Sequence, residues 1–93
     1  MPEIEASRGT RWLTTLTLAS TNPYKIIEAL EKENIESRPL WKPMHLQPLF
    51  AEEMVVENGV SETLFHTGIC LPSGSSLQEG EIVRICRTIK ETL

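Results

Sequence analysis

The stretch RWLTTLTLASTNPYKIIEALEKENIESRP, residues 11–39, decides the fold class, because it switches from a strand pattern to a helix pattern and back. Its first residues alternate. Trp12, Thr14, Leu16 and Leu18 fall on one face, and Leu13, Thr15 and Thr17 on the other. A period of two with β-branched enrichment predicts a strand, running from Arg11, whose more apolar Trp12 face turns inward. Asn22 followed by Pro23 marks a helix start: the Asn side chain can cap free N–H groups, and proline suits the first helical position. Ile26, Ile27 and Leu30 then form a buried stripe, with Glu28 and Lys32 four apart on the wet face. Asn34 suits the left-handed backbone that ends a helix. IESRP reads as a second short strand, stopped by Pro39.

Toward the amino terminus, residues 1–10 (MPEIEASRGT) are polar and carry Pro and Gly, so a mobile tail is expected before a domain spanning 11–93. Toward the carboxyl terminus, LFAEEMVVENG (49–59) shows no period that assigns it. VSETLFHTG reads as a short helix with Val60, Leu64 and Phe65 on one face and Gly68 as its cap. ICL is a third strand, PSGSSL a turn-rich connector, and QEGEIVRICRTIKETL a closing helix. That helix is expected to bury Ile82, Ile85, Cys86 and Ile89. Gly80 weakens it by up to about 1 kcal/mol relative to Ala, and Gln78 stands where Ser or Thr would cap better. The order β-α-β-loop-α-β-α predicts an α+β domain, a small three-stranded sheet with helices packed on one face. The other face needs a cover. Leu13 is the main apolar residue strand one offers there, so the pattern predicts a domain that leans on another surface.

At 93 residues and 10.5 kDa the chain is a single domain, short enough to bury only about 60–65% of its unfolded surface. Its net charge of −4 and pI near 5.1, with scattered Lys and Arg, argue against nucleic acid, which requires a clustered basic face. No apolar run approaches the roughly 18 residues of a membrane span, and the amino terminus lacks the apolar segment of a secretory signal. Cys70 and Cys86 form no Cys-x-x-Cys pair, which fits reduced thiols in a cytoplasmic protein.

The segment RPLWKPMHLQP (38–48) is the chemically suggestive one. Three prolines stiffen it. Arg38 offers a planar fork for carboxylate or phosphate, Lys42 a mobile point charge, and Trp41 a flat stacking surface. Were the backbone extended, His45 and Gln47 would point the same way, opposite Leu46. Together these groups suit an anionic, ring-bearing small ligand; a solvated surface loop is the plain alternative. His66 precedes Cys70 by four, but a structural zinc site wants four ligands, and His45 and Cys86 are too dispersed to complete one. No metal site is therefore expected. PSGSSL precedes a helix, yet lacks the lysine and glycine spacing of a phosphate loop. No nucleophile-base arrangement follows from spacing, so no catalytic residue is assigned.

NIESRPLWKPMHLQPLF, followed by SETLFHTGICLPSGSSL and a closing amphipathic helix, resembles the carboxyl-terminal end of the DegT/DnrJ/StrS family. These are pyridoxal-phosphate-dependent sugar aminotransferases of the fold-type-I class. The resemblance runs from about Arg11 to Leu93, and S-R-P-L-W-K before P-M-H is similar to members acting on nucleotide-linked 4-keto sugars. It implies the small domain of such an enzyme, whose loop (Arg38, Trp41, Lys42, Met44, His45 and Gln47) faces the substrate. It also implies a large domain, elsewhere, that holds pyridoxal phosphate on a lysine. No counterpart of that domain occurs in this sequence. Lys25, Lys32, Lys42 and Lys90 lack the Ser- and Gly-rich surroundings the family uses for its Schiff-base lysine. The expectation is a detached domain, inactive alone and without a cofactor of its own, that needs a large-domain partner or self-associates through a bare apolar face. The alternative is a non-enzymatic binding or regulatory module on the same scaffold.

Overall fold

Strand β1 (Thr14–Thr17) and strand β2 (Arg38–Pro39) flank strand β3 (Gly68–Leu71), both antiparallel to it, in a sheet of order β1-β3-β2. The computed structural model describes residues 4–10 and 12–93, so the expected strand start at Arg11 and the first three tail residues lie outside the described residues. Between the strands run helix α1 (Pro23–Lys32), two single 3-10 turns (Met44–Leu46 and Pro48–Phe50), helix α2 (Val60–Thr67) and, last, helix α3 (Glu79–Thr92). The architecture is the α+β layer read from the sequence.

α1 begins as its sequence dictates. The Asn22 Oδ1 accepts the Tyr24 N–H at 3.0 Å and Pro23 occupies the first turn. Asn34 ends it with a left-handed φ of 56°, the conformation Asn tolerates better than most residues. Register places Leu16 opposite Ile69 and Thr14 opposite Leu71, on the face that meets the helices. The core is small. Ile26 and Leu30 from α1, Ile69 from β3, and Ile85 and Ile89 from α3 are buried, with Leu18, Ile27, Ile35, Leu71 and Leu77 packed around them.

Two local expectations are corrected, and two features of α2 are added. β2 is two residues long, not five, and ends at Pro39, which has no N–H to donate to a ladder. Of the closing helix's expected stripe only Ile85 and Ile89 are buried; Ile82 is 48% exposed and Cys86 is exposed. α3 packs mainly on one neighbour, α1, and a single helix neighbour covers a narrow stripe rather than a broad face. On α2, Val60 and Leu64 are exposed and Phe65 half-buried. Gly68 is the C-cap of α2, as expected, but with extended backbone (φ −101°) because it also opens β3. Its lack of a side chain serves packing: a Cβ there would sit 2.2 Å from Leu40 Cδ1 and 2.5 Å from the Leu64 carbonyl oxygen.

The Gln78 N–H is capped by the Glu81 carboxylate at 2.8 Å, so α3 is closed at its start from inside the helix. The surface is large for the mass. The accessible area is 7617 Å², where a compact monomer of this size exposes about 5,400 Å². Among the described residues no helix is long and apolar enough to cross a membrane.

Candidate functional site

The face of the sheet turned away from α1 and α3 carries Thr15, Cys70 and Arg38, which the register sets side by side. An open groove of about 700 Å³ lies at this face, walled by Leu13, Arg38, Trp41, Cys70 and the connector residues Ser73 and Ser76. Leu13 is thus where the alternation put it, on the side with no helix. Ser73 ties the connector to the sheet: its Oγ accepts the Thr14 N–H at 2.7 Å and donates to the Leu71 carbonyl at 2.9 Å. The groove is therefore framed by a hydrogen-bonded corner. Burial pushes the Cys70 thiol above its usual pKa, which keeps it protonated and poorly nucleophilic at neutral pH. The buried Ser37 hydroxyl, also at this groove, has no hydrogen-bond partner. No pattern in the sequence singles it out.

The proline segment leaves the sheet at Pro39 and is not extended. Leu46 N–H donates to the Pro43 carbonyl and Gln47 N–H to that of Met44, each at 3.0 Å; Phe50 N–H then reaches the Gln47 carbonyl at 2.9 Å. Two 3-10 turns in succession follow, and residues two apart no longer share a face. His45 and Gln47 consequently part. The Gln47 amide donates back to the Lys42 carbonyl at 3.1 Å and bridges to Met44 Sδ, a structural use of the group. The His45 Nε2 lies 2.7 Å from Glu62 Oε1, linking the segment to the first turn of α2.

The six residues proposed from the sequence thus occupy three places. Arg38 and Trp41 share the groove, where the Arg38 Nε donates to the Glu36 carboxylate at 2.8 Å. Met44 and His45 line a second cavity, of about 410 Å³, with Phe50, Glu53 and Glu57. Lys42 and Gln47 border neither. Glu57 and Glu62, which sequence reasoning passed over, meet His45 there: one ligand atom from each of the three lies within 4.8 Å of the others. His66 is exposed beside the Phe65 ring and Cys86 is exposed, so neither joins Cys70.

Residues 2–90 match the model of the DegT/DnrJ/EryC1/StrS aminotransferase family. The chain belongs to that family. Among its relatives is EpsN of Bacillus subtilis (strain 168), assigned as a pyridoxal phosphate-dependent aminotransferase. It is 49% identical over 94 residues, covering 96% of this chain and 24% of EpsN. GDP-perosamine synthase of Caulobacter vibrioides is 31% identical over 85 residues, covering 88% of the chain and 23% of the enzyme. This member of the DegT/DnrJ/EryC1/StrS family therefore spans about a quarter of the length of the curated relatives it matches. Its fold recurs in solved aminotransferases. Spr1654 from Streptococcus pneumoniae, a sugar aminotransferase by assignment, aligns with a TM-score of 0.72 at 22% identity over 86% of this chain and 21% of that one. Helicobacter pylori PseC, an aminotransferase of pseudoaminic acid biosynthesis, aligns with the same score at 20% identity, over 86% and 23%.

Proposed function

We propose that these 93 residues act as the small carboxyl-terminal domain of a pyridoxal-phosphate-dependent nucleotide-sugar aminotransferase. The domain lends a substrate-facing edge to an active site whose cofactor-bearing half is a large domain. In that setting the intact enzyme transfers an amino group to a 4-keto sugar. The cofactor supplies the electron sink for amino transfer; this chain's residues bind and orient the sugar. The observation that carries the reading is the family match joined to the groove. Trp41, 66% exposed, and the Arg38 guanidinium both line the groove at the helix-free face of the sheet, offering a stacking plane and, when an anionic ligand displaces the exposed Glu36 carboxylate now paired with it, an anion fork. Lys42, next in the chain, is exposed but lines neither cavity.

Two further facts support the division of labour. All four lysines, Lys25, Lys32, Lys42 and Lys90, are solvent-exposed, whereas a lysine that works as a Schiff-base nucleophile is activated by desolvation or a neighbouring cation. The excess of accessible surface is what a domain shows when its covering partner is removed, and the same bare surface favours self-association when no partner is supplied. The enzyme so assembled works in the cytoplasm.

A chimera tests this. The EpsN segment that matches this chain is replaced by residues 1–93, and conversion of the bound cofactor by an amino-acid donor and then by UDP-4-keto sugar is followed spectrally. The chimera is expected to turn over, and Trp41→Ala and Arg38→Ala to raise KM for the sugar. A folded, cofactor-loaded chimera that is indifferent to both substitutions refutes the reading. The binding-module alternative rests on the groove being present in this chain alone. It predicts saturable quenching of Trp41 fluorescence by UDP-sugars in a Trp12→Phe background without any partner.

A further inference from the structure

We propose that His45, Glu57 and Glu62 form a binding site for one first-row divalent cation of the zinc class. The ion would clasp the Met44–Leu46 turn and the irregular 51–59 run onto α2. This inference is independent of the aminotransferase reading, and none of its three residues belongs to the Arg38–Trp41 groove.

The three groups come from three segments that no regular element joins. His45 lies in the first 3-10 turn, Glu57 in the irregular run, and Glu62 in the first turn of α2. One imidazole nitrogen and two carboxylate oxygens is a donor set that zinc-class ions accept, with three protein ligands and water in the remaining position. The spacing suits it. A tetrahedral ion with bonds of about 2.0–2.2 Å holds its ligand atoms about 3.4 Å apart. That separation falls between the 2.7 Å of the His45–Glu62 contact and the 4.8 Å that bounds the set. Binding an ion therefore requires the His45–Glu62 hydrogen bond to open from 2.7 Å, with both glutamates, one exposed and one half-exposed, turning toward the centre.

Charge gives the second argument. A His–Glu hydrogen bond alone needs one carboxylate; here a second has been brought beside it. Glu53 lines the adjoining cavity, which contains no lysine or arginine. Three carboxylates thus gather around one imidazole, and no ion pair among the described residues reaches Glu57 or Glu53. What the cluster lacks is positive charge at its centre. Glu57 is also pre-oriented, because its Oε2 accepts the Gly59 N–H while its other oxygen stays free, the outer-shell arrangement that fixes metal-binding carboxylates. Gly59 holds a φ of 79° that a side chain would resist.

The test uses the full chain stripped with chelator at pH 7.5. It is titrated with Zn²⁺ by calorimetry and with Co²⁺ by visible absorption, and hydrogen exchange is read with and without Zn²⁺. We expect one ion per chain, a Co²⁺ d–d band without the thiolate charge-transfer band that Cys70 or Cys86 would give, and slower exchange across residues 44–62. Glu57→Gln and Glu62→Gln are each expected to weaken binding by about tenfold or more, since even outer-shell losses reach that size, while His66→Gln changes nothing. Glu57 is exposed, so its variant keeps the fold and remains informative if His45→Gln does not. No saturation below millimolar Zn²⁺, a thiolate band, or binding unmoved by Glu57→Gln overturns the proposal.

Discussion

The helix–sheet part and the 40–59 segment of this chain solve different problems. In the first, Ile26, Leu30 and Ile69 are wholly buried. In the second, Leu49, Met54 and Val56 are 81%, 93% and 96% exposed, although they are as apolar as the core. A folded chain normally hides such residues when it can, since each is worth about 1.5–3 kcal/mol on burial. The buried core is concentrated in five residues, Ile69 among them.

The largest test of that contrast is a pair of alanines. Ile69→Ala removes methyl groups at the centre of the core and is expected to cost about 2–5 kcal/mol, close to the whole stability of so small a domain. Val56→Ala is expected to stay within about 0.5 kcal/mol. Urea unfolding followed by circular dichroism reads both, and equal effects would erase the distinction between the two parts. Gly68→Ala probes the seam where they join. The added Cβ meets Leu40 and the Leu64 carbonyl, and an overpacked site of this kind costs about 1–3 kcal/mol; a neutral result would mean that the seam yields easily. The smallest effect sharpens the groove. Because burial raises the Cys70 pKa, less thiolate is present at pH 8 than for an ordinary thiol, so alkylation should mark the exposed Cys86 first. The Cys70 rate should go on climbing as the pH passes 9. Simultaneous labelling at pH 8 would show that the groove is wetter than its walls imply.

Much of the packed part was legible in the sequence. Alternation found β1, a 3.6-residue stripe found α1, and Asn22-Pro23 fixed its start, because each signal is local; the inward turn expected of β1's Trp12 face fails, since Trp12 lies outside the strand at 74% exposed and Leu16 is 37% exposed. The misread positions share a cause, in that tertiary neighbours decide them. Cys86 and Ile82 lie on an apolar stripe, but α1 is too narrow a partner to cover it. Pro43 and Pro48 suit extended backbone and the start of a 3-10 turn equally well, and hydrogen bonds from Leu46, Gln47 and Phe50 select the turn. That choice sends Arg38 and Trp41 to one side and His45 to the other. The convergence of Glu57 and Glu62 on His45 reaches across 17 positions, through two single 3-10 turns and the irregular 51–59 run, where no period exists to read.

The central claim is that this chain contributes a substrate edge and leaves the cofactor chemistry to a different domain. The direct measurement is absorbance of the isolated chain titrated with pyridoxal phosphate, repeated with Lys25, Lys32, Lys42 and Lys90 each changed to Arg. The account predicts no saturable, one-to-one aldimine band, and only weak labelling shared among exposed lysines. A stoichiometric band abolished by replacing one of the four would contradict it.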